Sequence, residues 1–292
     1  MYNYEVWQWV LYFFIYCFIG WIWETAYVSL KSGHFENRGF MNGPFLPIYG
    51  SGAIIMLFVS LPVKNSVILV FIFGSIAATL LELFTGMAME SLFHVRYWDY
   101  SYRKIQYKGH ICLVSSIAWG FFSCLLVYFI HKPIEGLVLS IDEGIGQLIA
   151  IIVTICATAD FATSFKTALE LKNMLITAED IKKQIEKLER RAEIVEVFIA
   201  DSAEKASEDL REHISDTIAK ISGSKEEAKA ELNRILAERN EKVSAFKLRI
   251  SENKSVSALL KRNPDAVSVK HFDTFSTYKK NIIDSVKEKL NR

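Results

Sequence analysis

The chain has 292 residues, 51% of them hydrophobic, with 34 Lys and Arg against 33 Asp and Glu. This near-neutral balance gives no strongly charged surface, so nucleic acid is not an expected partner. The charge is segregated, however: residues 1–165 hold 8 of the 34 cations and 10 of the 33 anions. Two parts are therefore predicted, a transmembrane domain over 1–165 and a cytoplasmic helical domain over 166–292.

In chain order, five segments are apolar over about the length that crosses a bilayer: 6–30, 47–63, 66–93, 109–131 and 143–165. The first has no preceding Lys or Arg and no small-residue cleavage site, so it is read as a retained helix and not as a signal peptide. The second is short and starts at Pro47, and it either crosses as a short span or re-enters the same face. With five spans, the 31–46 and 94–108 loops share a side with the C-terminal part. That side carries Lys31, Arg38, Arg96, Arg103, Lys104, Lys108, Lys166 and Lys172, whereas the opposite loops carry Lys64 and Lys132. The positive-inside rule then makes the C-terminus cytoplasmic.

Beyond Lys166, Ile181, Ile185, Leu188, Ala192, Val195 and Ile199 recur at alternating four and three spacing, the seam of a helix that packs on another. Ser224 and Glu227 match a capping box, so a second helix is predicted to start there and fold back as a coiled-coil hairpin, with Leu232, Ile235 and Leu236 on its apolar stripe. Pro264 in "RNPDAV" ends it. A last helix places Val269, Phe272, Phe275, Ile282, Ile283 and Val286 on one stripe. The fold class is thus all-α, a polytopic helix bundle followed by a helical hairpin. Cys17, Cys112, Cys124 and Cys156 lie in apolar segments at no metal-binding spacing, so they are expected to be small core residues, and neither a metal nor a cofactor is expected.

Ionisable groups inside apolar spans are costly and point to a functional interior. Glu24, Glu82, Glu90 and Asp160 all fall toward the end of their spans that adjoins the basic loops, and the opposite half of each span holds almost none. Glu82, Gly86 and Glu90 are four apart and share a helix face, where the glycine lets another group come close. Arg38 and Arg96 are suited to hold a carboxylate or phosphate in a fork. Asp99 stands three residues from Arg96 among Tyr97, Trp98 and Tyr100, which also suit an interfacial belt. The stretch "ENRGFMNGPFLPIYGSG" permits tight turns and exposed amides, and such backbone at membrane depth must be surrounded by protein or line a cavity. His34, His94 and His110 sit near the same boundary and read as solvated interfacial residues.

The blocks "YFFIYCFIGWIWET", "NRGFMNGPFLPIYGSG", "LLELFTGMAMESLFHVRYWDYS" and "GHICLVSSIAWG" resemble, in order, those of the bacterial ABC-transporter type IV, or CmpB-like, family over about residues 8–130. The resemblance implies a bacterial inner-membrane protein named as a permease component. By matching position it carries over Glu24, Asn37, Arg38, Gly39, Gly43, Pro44, Pro47, Tyr49, Gly50, Glu82, Thr85, Gly86, Glu90, Arg96, Trp98, Asp99 and Tyr100. Their roles are inferred from chemistry: Glu24, Asn37, Arg38, Tyr49, Glu82, Glu90, Arg96 and Asp99 form the candidate ligand-binding set.

Three functions remain open on the sequence. One is a permease-like component of an ABC-type transport system with a polar cytoplasmic-side cavity; lacking G-x-x-x-x-G-K-S/T, it would need a separate ATPase subunit. Another is an intramembrane enzyme or binder for a lipid head group, with Glu82 or Glu90 as acid or base; no H-E-x-x-H or G-x-S-x-G motif accompanies it, and no catalytic residue is assigned. The third is a scaffold whose C-terminal helices take a partner or a second copy. The charge bias makes a direct prediction: a cysteine placed at Lys64 labels from outside the cell and one at Arg103 labels only after permeabilisation. The reverse pattern would overturn the orientation.

Overall fold

In the computed structural model, which describes residues 4–199, 225–271, 275–276 and 279–280, the chain is helical almost throughout. It divides into two compact units, one from the described residues of 1–172 and 255–292 and the other Asn173–Lys254. Among the described residues, four helical stretches are long and apolar enough to cross a membrane: Val6–Ser32, Val67–Phe93, Leu113–Leu139 and the first part of a helix starting at Glu143. Pro47–Val63 is shorter and apolar.

Local chemistry sets the ends of the first helices. Helix α1 (Val6–Ser32) begins in a capping box between Glu5 and Gln8 and stops at Gly33, whose φ of 77° is open to glycine. Helix α2 (Pro47–Ser60) has Pro47 in its first turn, where a missing N–H costs nothing. In α3 (Val67–Phe93), the Ser66 hydroxyl caps the start and His94, at φ 57°, closes the end. A two-stranded antiparallel hairpin follows, β1 (Gln106–Tyr107) with β2 (Ile111–Cys112), in the register Gln106 to Cys112. The fourth apolar segment therefore starts at Leu113 and not at 109.

That segment also runs further than its hydropathy suggests. Helix α4 (Leu113–Leu125) passes through a π-turn at Leu126–Ile130 into α5 (His131–Leu139). Pro133 would collide with the carbonyl four residues back in a regular helix. The wider turn just upstream, where the His131 amide reaches back five residues to Leu126 O, accommodates it and keeps the axis going.

Within this unit α1 packs on α2, α2 on α3, and α3 on α4. Leu11, Tyr12, Tyr16, Ala53, Met56, Leu57, Ala78, Leu126, Val138 and Ala150 form one core. Small residues let the helices approach, as expected where lipid gives no hydrophobic drive. Gly50 faces Cys17 and the Phe13 carbonyl of α1, and Gly74 faces Ser123 of α4. The outward side chains are apolar, as in a lipid-facing surface: Ile68, Phe73, Ile76 and Phe84 on α3, and Leu148, Ile151 and Ile155 on the helix that starts at Glu143. Cys156 is exposed on that same helix, which corrects its expected place in the core, while Cys17 and Cys112 are buried.

Helix α6 (Glu143–Ile199) runs through the change of period near Lys166 without a break. In the second unit, its C-terminal part packs against α7 (Lys225–Glu252) through Leu188, Ala192, Val195, Ala228, Leu232 and Ile235. Arg191 pairs with Glu231, Glu189 with Arg239, and Gln184 with Lys242, so the two helices run antiparallel. Ser224 and the side chain of Ile199 lie outside the described residues, as do Phe272, Ile282, Ile283 and Val286 of the last stripe. Of that stripe, Phe275 is buried and Val269 is exposed.

A side chain at Gly50 would meet backbone, with the Phe13 carbonyl 2.7 Å from the new carbon, whereas Gly136 has open space around it. Gly50→Ala is expected to destabilise the detergent-solubilised protein by about 1–3 kcal/mol. Gly136→Ala should be neutral or stabilising by about 0.5–1 kcal/mol. Thermal melting of the two variants checks this, and equal melting temperatures would contradict the close α1–α2 contact.

Candidate functional site

The candidate residues of the first unit gather where α1 and α3 end and α2 and α4 begin. Asp160 of α6 holds the loop before α2: its carboxylate accepts from the Asn42 amide at 3.1 Å, the Asn42 side chain at 2.9 Å and the Gly43 amide at 2.7 Å. Asn37 accepts from Trp21 Nε1 at 2.6 Å and donates to the Asn42 carbonyl.

Glu24 accepts a 2.6 Å hydrogen bond from Tyr49 Oη and lies 3.8 Å from Arg38 Nε. Arg38 also donates to the Arg262 carbonyl at 3.2 Å and pairs with Asp265 at 3.0 Å. These last partners belong to the end of α8 (Lys254–Arg262) and the segment after it, which return the chain to the first unit with Val256, Leu259 and Leu260 buried. Asn263 Nδ2 donates to the Gly39 carbonyl, Arg96 and Val267 exchange backbone hydrogen bonds at 2.7 and 2.8 Å, and Ser268 Oγ donates to the His94 carbonyl. The segment therefore straps the two loops that carry Arg38 and Arg96.

Glu82 is 4% exposed, and three neutral groups donate to it: Tyr100 Oη at 3.0 Å, Trp119 Nε1 at 3.0 Å and Ser115 Oγ at 3.3 Å. Among the described residues no cation lies within ion-pair distance of it. Burial, and after it the Glu82 carboxylate, push the Tyr100 hydroxyl up, so Tyr100 stays protonated as a donor. The Trp119 ring sits 6.2 Å from that of Tyr49, which connects Glu82 to the Glu24 group.

Two turns along α3, Glu90 is held differently. Its Oε2 accepts from Arg96 Nε at 2.7 Å and lies 3.0 Å from His110 Nε2, while Arg96 Nη1 stands 3.5 Å from Asp99. His110 occupies the approach that Gly86 opens, where a methyl group would lie 2.8 Å from its Nδ1. Between the end of α3 and the hairpin is a cleft of about 540 Å³, whose lining includes Glu90, Ser91, Arg96, Lys108, Gly109 and His110. Among the described residues no three His, Cys, Asp or Glu side chains converge as a metal ion would need.

The family model described as "Putative ABC-transporter type IV" matches residues 11–165, more than half of the chain. The chain belongs to that family. No curated protein and no solved structure matches it. The family match runs from residue 11 within α1 through α5 to the first part of α6, and so includes every residue of the candidate set; Arg262, Asp265 and Val267 of the strap fall outside it.

Within the family region the structure brings Glu24, Arg38 and Tyr49 together and groups Glu90, Arg96 and Asp99. Arg38 meets neither Glu82 nor Glu90; its partners are Glu24 and Asp265. The cleft is lined by Glu90 and Arg96 of the set, while Glu82 is sealed by its donors. His110 is buried, which corrects its reading as a solvated residue. Sequence reasoning misses Ser115 and Trp119, although their spacing of four puts both on one face of α4 and is a readable signal. Asp265 carries no such signal, being 227 residues from Arg38.

His94 Nδ1 lies 3.4 Å from His271 Nε2. Burial lowers the pKa of His94, and Lys172, Lys270 and His271 lower it further. Burial and Arg96 lower that of His110, against the opposing pull of Glu90 and Asp99. At these two histidines the folded chain then binds fewer protons than the unfolded chain, whose histidines titrate near 6.5. Their contribution to stability is complete above that pH and is lost as the pH falls through the lower folded values. The melting temperature is expected to fall as the pH drops below about 6.5, and His94→Asn, which tolerates the positive φ, should make the fall shallower. An identical fall in the variant would remove His94 as a cause.

Proposed function

We propose that the chain is the permease-like membrane component of an ABC-type transport system of the bacterial inner membrane. Its C-terminus is cytoplasmic, and its ligand site is the polar network of Glu24, Asn37, Arg38, Tyr49, Glu82, Glu90, Arg96 and Asp99. The observation that carries this reading is convergence: three carboxylates from apolar helices and two arginines from separate loops meet at one end of the unit, beside a cleft of a size suited to a small ligand. Family membership supports a transport-related role in a membrane.

On this reading energy comes from a separate ATPase subunit, since the sequence has no P-loop motif. The antiparallel helices of Asn173–Lys254 are a coiled-coil module in the cytoplasm, available to that subunit or to a second copy of the chain. A second reading, a binder of a phosphate-bearing lipid head group, is favoured by one feature: Arg96 and Lys108 both line the cleft.

Affinity purification from native membranes, with mass spectrometry of proteins and lipids, separates the two. A stoichiometric ATPase carrying a P-loop is the expected result. A retained phospholipid without an ATPase, lost in Arg96→Gln, would replace the transport reading with the head-group one.

A further inference from the structure

A second cluster of titratable groups lies at the other end of the same helices. Tyr16 stands eight residues before Glu24 on α1, and His131 twelve residues after Trp119 on the α4–α5 axis, or about 18 Å at 1.5 Å per residue. The expectation that this half of the spans holds almost no ionisable group is corrected here, because α5 carries His131 and Glu135 into the bundle.

His131 is 2% exposed, and both ring nitrogens are engaged: Nδ1 with Tyr16 Oη at 2.8 Å and Nε2 with Tyr4 Oη at 3.1 Å. Tyr4 Oη also donates to Glu135. A hydroxyl has one hydrogen. With that of Tyr4 given to Glu135, its oxygen accepts from His131, so Nε2 carries the proton of the neutral ring and Nδ1 accepts from Tyr16. A continuous chain of hydrogen bonds therefore runs from half-buried Glu135 to buried Tyr16, with a basic site at Nδ1.

The titratable groups facing His131 are Tyr4, Tyr12 and Tyr16 from α1 and the residues before it, and Glu135 from its own helix. From α2, α3 and α6 the same core receives apolar Leu57, Ala78 and Ala150. The backbone is adapted here as well, since the π-turn Leu126–Ile130 ends at His131, and such turns are frequent at functional sites.

We propose that His131, with Tyr4, Tyr16 and Glu135, is a proton-binding site at the end of the bundle opposite the Glu82–Glu90 network. A hydronium ion gives up a proton and leaves as water, the proton forms a new N–H bond at Nδ1, Tyr16 rotates its hydroxyl from donor to acceptor, and the imidazolium is balanced by the Glu135 carboxylate across Tyr4. The proposal does not depend on the ligand-site reading.

The test is NMR of the full chain in lipid nanodiscs with ¹⁵N-labelled histidine, following the ring nitrogens from about pH 5 to about pH 9. The His131 signal is assigned by its loss in His131→Gln or, if that variant does not fold, by replacing the other histidines. The expected result is one titration of the His131 ring, with proton binding weakened about ten-fold by Glu135→Gln, as for removal of a nearby opposite charge. A ring that keeps its neutral pattern throughout, or a midpoint unmoved by Glu135→Gln, would overturn the proposal and leave a purely structural hydrogen-bond tie.

Discussion

The Arg38 guanidinium joins stretches of chain that are remote in sequence. It reaches Glu24 on the first helix and, on the other side, the Arg262 carbonyl and Asp265 of the strap, while its own amide donates to Thr25. A cation at the edge of an apolar bundle needs several partners, because each bond replaces hydration it has lost. Meeting that need fixes the loop before α2, and through the loop the position of Tyr49 against Glu24. The pairing of Val267 with Arg96 extends the same strap to the second loop.

Two carboxylates on one face of α3 receive opposite treatment. Glu82 is closed in by a phenol, an indole and a hydroxyl, all neutral donors, whereas Glu90 faces a guanidinium and an imidazole at the cleft. The first carboxylate is closed in by its donors; the second stands in the lining of the cleft. Their separation of eight residues, about 12 Å along the helix, spans the passage from sealed interior to open rim.

The apolar helices were legible because hydropathy over some twenty residues is a strong signal, and Gly86 was legible as a point of close approach because a glycine between two carboxylates has little other use. The extent of α5 was not, since Pro133 and the charged residues around it read as a loop unless the compensating π-turn is known. The strap was hidden for another reason. Nothing in "RNPDAV" distinguishes a helix end in solution from one whose Asn263, Asp265 and Val267 meet loops more than 170 residues away. Local patterning reports burial and turns, and it does not report which distant partner satisfies a polar group.

The strap also sets an order of events in biogenesis. Arg38 enters the nascent chain 227 residues before Asp265. At about 5–20 residues per second, ribosomal synthesis leaves roughly 10–45 s in which the loop has Glu24 and not its second carboxylate. Until Asp265 and Val267 have been made, the loops of Arg38 and Arg96 lack the strap that joins them in the folded chain.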